Sequence, residues 1–222
     1  MSAVTKEHHD YWDSFYAGKA SGDVPGEPSP FALSLRGELA EGQPIVELGF
    51  GTGRDSLWFA QQGHLVRGLD FAESAVARAQ GQADAHGLTA AFSVLDLYDE
   101  AGCVETAKQI ASTMTNPAIY GRFLVHSLEL DGRRNLLDLA ATALGNGGEL
   151  YLEFRTGKDA GSQHLFGDDH FRVYLDPEVV ANEIEERGGR VLRREEGHGL
   201  AVYKSEDPHV ARLVASFAGD GS

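Results

Sequence analysis

From Pro44 to Phe154, short apolar runs alternate with stretches of helical periodicity, and few folds accept that pattern. The runs Pro44–Leu48, Leu65–Leu69, Ala91–Leu95, Ala118–Val125 and Glu149–Phe154 are mostly apolar, as strands covered on both faces must be. Between them, Arg54–Gln62, Glu73–His86, Gly102–Ser112 and Gly132–Leu144 read as helices, the first two stopped by Gly63 and Gly87. Strands joined by helical crossovers build a parallel sheet with helices on both sides. Upstream, Ser29-Pro30 supplies an N-cap and a first-turn proline for a helix through about Ala40. Downstream, Asp176-Pro177 opens a helix to Arg187, and Arg190–Arg194, Leu200–Lys204 and Val210–Phe217 are late strand candidates. The expectation is one doubly wound α/β domain over residues 1–222. Residues 1–30 would form an N-terminal cap segment, and the glycine-punctuated 156–175 a lid or substrate loop.

Composition narrows the partners. Of 222 residues, 42% are hydrophobic and 24% charged, enough for a full core. Thirty-four acids against nineteen bases give a formal charge of -15, which repels phosphate backbones and anionic lipid. Neither nucleic acid nor membrane is expected as a partner; a small molecule is. No run approaches the roughly eighteen apolar residues of a membrane span. Met1 to Tyr16 lacks an apolar signal segment, and the single Cys103 can form no internal disulfide, so a cytoplasmic location is expected. No compact His/Cys/Asp cluster suggests a metal, and His8-His9 precedes the fold.

In an open parallel sheet, ligands sit beyond the carboxyl ends of the strands. There the chain reads Glu47-Leu48-Gly49-Phe50-Gly51-Thr52-Gly53, followed by the helix from Arg54. Alternate glycines let the backbone turn and approach a ligand, and the helix start favours a carboxylate or phosphate. A dinucleotide fingerprint would need a third glycine where Arg54 stands. Asp70 ends the second strand and Asp96 the third.

This G-x-G-x-G loop preceded by Glu47, with Asp70 in Gly68-Leu69-Asp70-Phe71 and Asp96 in Leu95-Asp96-Leu97, resembles the class I S-adenosylmethionine-dependent methyltransferases. The likeness spans roughly Pro44 to Phe154, and Gly53-Arg54-Asp55-Ser56 is similar to small-molecule members. It implies a seven-stranded sheet whose last strand is antiparallel, with S-adenosylmethionine as cofactor and S-adenosylhomocysteine as product. It also implies that Glu47, Gly49, Gly51, Gly53, Asp70, Phe71, Asp96 and Leu97 line the cofactor. Asp70 would hold the ribose hydroxyls, Asp96 the adenine amino group, and the next backbone amide a ring nitrogen. Tyr11, in the aromatic segment with Trp12 and Tyr16, would close over the sulfonium or staple the first helix to the core.

Methyl transfer from a sulfonium needs alignment and exclusion of water more than acid–base help. The catalytic candidates are His126, Glu153 and His170, and His126 reads equally as a base or as a packing residue. Arg155, Lys158, Arg172 and Tyr174 are the substrate-binding candidates. The three cations would form an anion pocket or would pair with Asp159, Asp168 and Asp169. The acceptor would be a small polar metabolite with an oxygen or nitrogen nucleophile. Two other readings stand beside this one: an NAD(P)-dependent oxidoreductase, and a non-catalytic S-adenosylmethionine-binding protein.

Overall fold

The structure, a computed structural model, describes residues 27–160 and 173–217. Tyr11, Trp12, Tyr16, His170, Arg172, nearly all of the expected cap segment and most of the expected lid loop lie outside the described residues.

A short helix α1 (Pro30–Ser34) leads into β1 (Ile45–Leu48), α2 (Arg54–Gln61), β2 (Val66–Asp70), α3 (Glu73–Ala85) and β3 (Ala90–Val94). Then follow α4 (Glu100–Thr113), β4 (Ala118–Arg122), α5 (Leu130–Ala143), β5 (Glu149–Arg155), α6 (Pro177–Glu185), β6 (Arg190–Gly197) and β7 (Val210–Ser216). The seven strands form one sheet in the order β3-β2-β1-β4-β5-β7-β6. The first five are parallel, and β7 runs antiparallel to both β5 and β6. The chain thus steps outward from β1 to β3, then crosses back to β4 beside β1. That reversal opens the crevice in which such sheets bind ligands.

Alternation along the strands divides the core. Val46, Leu48 and Ile119 face Ile110 of α4, Leu136 and Leu137 of α5, and Val180 and Ile184 of α6. Ile45, Ala118 and Tyr120 face Phe31 of α1 and Phe59 of α2. Alanines 75, 79 and 83, four apart, give α3 a flat face against Phe50 and Phe92.

Three expectations differ at their ends. The first helix keeps regular form only through Ser34; tighter turns around Gly37 carry the chain onward. β4 stops at Arg122, because Phe123 turns the backbone at φ 55° into a 3-10 turn over Val125–Ser127. Leu200–Lys204 is not a strand: Lys204 also has a positive φ, and the chain turns back through a lone bridge between Tyr203 and Glu206. No helix among the described residues is long and apolar enough to cross a membrane.

Candidate functional site

Gly49, Gly51 and Gly53 all have left-handed backbone, at φ 65°, 57° and 77°. A side chain is disfavoured in that region, so the glycine spacing is a backbone requirement. Gly49 N donates to Leu69 O at 2.7 Å, and Gly51 N to Asp70 Oδ2 at 2.8 Å. Ala72 N donates to Asp70 Oδ1 at 3.0 Å, and Leu95 N to Asp70 O at 2.9 Å. One buried residue therefore ties together the loops that follow β1, β2 and β3. Burial pushes its carboxyl upward, and the amides of Ala72, Gly51 and Phe71 oppose that. Asp96, half-buried, accepts from Tyr98 N at 2.9 Å through Oδ1. Its Oδ2 has no partner among the described residues, which suits a ligand amino group. Leu97 is buried, and its carbonyl accepts from Asn135 Nδ2 at 2.8 Å.

Beneath the glycine loop lies an acidic pair. Glu47 is buried and accepts a short hydrogen bond from Ser56 Oγ. Burial, then the charge of Asp55, raises its carboxyl well above the ordinary value, against help from Ser56, Arg54 and Arg122. A raised acid stabilises the fold most below its unfolded pKa, and that contribution is lost as pH climbs through the folded one. Glu47→Gln is accordingly expected to gain stability relative to wild type as pH rises from 4.5. Urea melts of both proteins from pH 4.5 to 8 test this; parallel curves would contradict it.

Asp55 was not apparent from the sequence as a site residue. It accepts from Ser29 N and Ser29 Oγ, each at 2.7 Å, and from Tyr120 Oη at 2.9 Å. It fastens the start of α1 to the start of α2, directly behind the glycine loop. The only sequence signal was Ser29-Pro30, which reads as a helix cap; Ser29 Oγ does cap Ala32 N as well. Arg54, at the would-be third glycine, lies 3.4 Å from Asp55.

At the ends of β4 and β5 the structure brings together His126, Glu153 and Arg155 with Phe123. Register pairs Arg122 with Glu153. Glu153 is fully buried, taking Arg122 Nε at 2.9 Å on one oxygen and Arg212 Nε at 2.8 Å on the other. Burial raises its carboxyl and the two guanidiniums lower it. That arrangement makes Glu153 a counter-ion between two arginines. His126 is buried in the 3-10 turn; its Nδ1 accepts from Arg155 N at 3.3 Å, which places the proton of a neutral ring on Nε2. Its carbonyl accepts from Val173 N at 2.7 Å, so Tyr174 follows directly on that contact. Arg155 is buried and pairs with Asp159 at 2.6 Å and with Glu206. Lys158 is exposed and reaches Glu196 at 2.8 Å. Arg155 thus pairs with Asp159, one of the partners expected from the sequence, whereas Lys158 pairs with Glu196, which was not among them.

Phe123 was missed as well. A bulky residue at positive φ is a genuine outlier and costs on the order of 1–3 kcal/mol. Its amide donates to Glu153 O at 2.7 Å, and its ring lies edge-on to His126, with centroids 5.5 Å apart. Arg122 and Arg155 guanidiniums lie 4.1 and 5.2 Å from the ring centroid. The next residue, Leu124, packs on Gly49: a Cβ there would stand 2.7 Å from Leu124 Cδ1. The β4 turn therefore abuts the glycine loop. No group of His, Cys, Asp and Glu suited to a metal occurs among the described residues.

Comparison with known proteins agrees with this geometry. A family described as a methyltransferase domain matches residues 45–148. A curated 2-heptyl-1-hydroxyquinolin-4(1H)-one methyltransferase of Mycobacteroides abscessus is 30% identical over 107 residues, 45% of this chain and 47% of that protein. The match thus spans about half the length of that relative. Among solved structures, a SAM-dependent methyltransferase from Anabaena variabilis superposes with a TM-score of 0.72 at 19% identity, covering 97% of this chain and 96% of that one. The 1,6-didemethyltoxoflavin-N1-methyltransferase of Burkholderia thailandensis, with bound 1,6-didemethyltoxoflavin and S-adenosylhomocysteine, gives 0.63 at 15% identity, covering 97% and 86%. Residues 45–148 thus match a methyltransferase-domain family, and the fold as a whole superposes on solved S-adenosylmethionine-dependent methyltransferases.

Proposed function

We propose that this protein transfers a methyl group from S-adenosylmethionine to an oxygen or nitrogen of a small molecule. The observation that carries the reading is Asp70, which joins the loops after β1, β2 and β3 into one cradle. The residues suit the donor. Asp70 can accept from ribose hydroxyls beside the amides it already holds, Asp96 Oδ2 can accept from an adenine amino group, and α2 has no side-chain cap to compete for a carboxylate. When bound, the donor supplies an activated methyl on a sulfonium. The chain's task is then to align the acceptor and exclude water.

The relative from M. abscessus, by its name, acts on a hydroxyquinolinone, and the B. thailandensis structure holds a toxoflavin precursor. Both support a small-molecule acceptor here. In our reading neither Glu153 nor His126 removes the acceptor proton: Glu153 is committed to two arginines and His126 Nδ1 to an amide. The acceptor's own acidity sets the pH dependence. The expected lid over residues 156–175 and the closing role of Tyr11 belong to this proposal as well.

The test is a transfer assay with methyl-labelled S-adenosylmethionine and an acceptor panel that includes hydroxyquinolinones. Label is expected in a small molecule. Asp70→Ala is expected to weaken donor and product binding by roughly ten- to a hundred-fold, since hydrogen bonds to a charged group contribute about 1.5–3 kcal/mol. Unchanged affinity in a folded variant would show that the ribose lies elsewhere.

A further inference from the structure

The cations at the carboxyl ends of β4 and β5 are already matched. Arg122 and Arg212 share Glu153, and Arg212 also lies 3.6 Å from Glu195. Arg155 has Asp159 and Glu206, and Lys158 has Glu196. The whole chain carries -15. A phosphorylated or carboxylated acceptor would meet a repulsive field with no net local attraction.

What the same region does present is an aromatic corner. Phe123 occupies backbone that a glycine would adopt without strain, so the local turn does not call for a phenyl ring. The ring is half-buried, fixed by two guanidiniums and set edge-on to His126. Leu124 carries the same turn onto Gly49, which puts this corner next to the cofactor loop. A ring edge is electropositive and meets the face of another aromatic ring well.

We infer that the acceptor is an uncharged, ring-containing molecule and that Phe123 is the residue that selects it, an inference that rests on the methyl-transfer reading above. Strain retained at a substrate-facing turn then has a purpose: it holds the ring where a small-molecule ring must dock.

The test uses the full chain saturated with S-adenosylhomocysteine, titrated with 4-hydroxyquinoline and with glucose 1-phosphate. 4-Hydroxyquinoline is expected to bind at least about ten-fold more tightly. Phe123→Gly, which suits the backbone, is expected to weaken 4-hydroxyquinoline by about ten-fold while S-adenosylhomocysteine affinity stays within about two-fold. Phe123→Tyr should restore aromatic binding. Tighter binding of the sugar phosphate, or no binding of 4-hydroxyquinoline to the loaded protein, overturns the inference and leaves the cofactor reading intact. A folded Phe123→Gly protein that keeps its aromatic affinity also overturns it; should that variant not fold, Phe123→Leu replaces it, and undiminished aromatic affinity there overturns the inference equally. Failure to bind S-adenosylhomocysteine at all would remove the methyl-transfer reading, and this inference with it.

Discussion

Gly51→Val is expected to abolish binding of S-adenosylmethionine and S-adenosylhomocysteine alike in a protein that still folds. Gly51 stands at φ 57°, and its amide points at Asp70 Oδ2 from 2.8 Å. Valine is among the residues least able to adopt that backbone, and the strain is roughly 1–3 kcal/mol. Relieving it swings the amide away from Asp70, and a lost hydrogen bond to a carboxylate is about 1.5–3 kcal/mol more. Together these predict a loss of affinity on the order of a hundred-fold or greater. Circular dichroism should show the sheet and helices intact, while calorimetry shows no cofactor heat. A folded variant that binds S-adenosylhomocysteine normally would mean that the loop does not approach the cofactor.

Glu153→Ala has the largest expected effect on stability. The carboxylate is fully buried, and its removal leaves Arg122 and Arg212 without their shared counter-ion. Breaking a buried pair in this way costs about 3–5 kcal/mol. For a chain of this length that is on the order of 10 °C in Tm. Glu153→Gln keeps the shape and one acceptor, so its loss should be smaller. If Glu153 were instead a catalytic base, both variants would keep their Tm and lose only kcat. Thermal melts beside the transfer assay separate the two roles.

The first three strands, the glycine turn and the strand-end acids were legible in the sequence because their signals are local. Apolar runs of strand length, glycines at alternate positions and acids at strand ends are all read within a few residues of each other. The seven-stranded sheet and its antiparallel last strand followed from the resemblance those residues carry. The region at the ends of β4 and β5 was much less legible, and the reason is sequence separation. Glu153 meets partners 31 and 59 residues away, Ser29 meets Asp55 across 26 and Tyr120 across 91, and Arg155 meets Glu206 across 51. No periodicity announces such pairs. A carboxylate at a strand end reads as a candidate base until its arginines are seen, and cations near a loop read equally as an anion pocket or as ion pairs until each carboxylate is located. Phe123 is the sharpest case. Left-handed backbone is usually signalled by glycine or asparagine, and here a phenylalanine inside an apolar run gave no sign that β4 ends at Arg122. Leu200–Lys204 shows the converse: three apolar residues and a tyrosine look like a strand, yet the chain turns at Lys204.

The central claim is that the crevice lined by the loops after β1, β2 and β3 is built for S-adenosylmethionine. Isothermal titration of the wild-type chain with S-adenosylhomocysteine, NAD and NADP tests it most directly. Our account predicts saturable one-to-one binding of S-adenosylhomocysteine, weakened by Asp70→Ala, and no binding of either dinucleotide. Saturable binding of NAD or NADP in place of S-adenosylhomocysteine would contradict it.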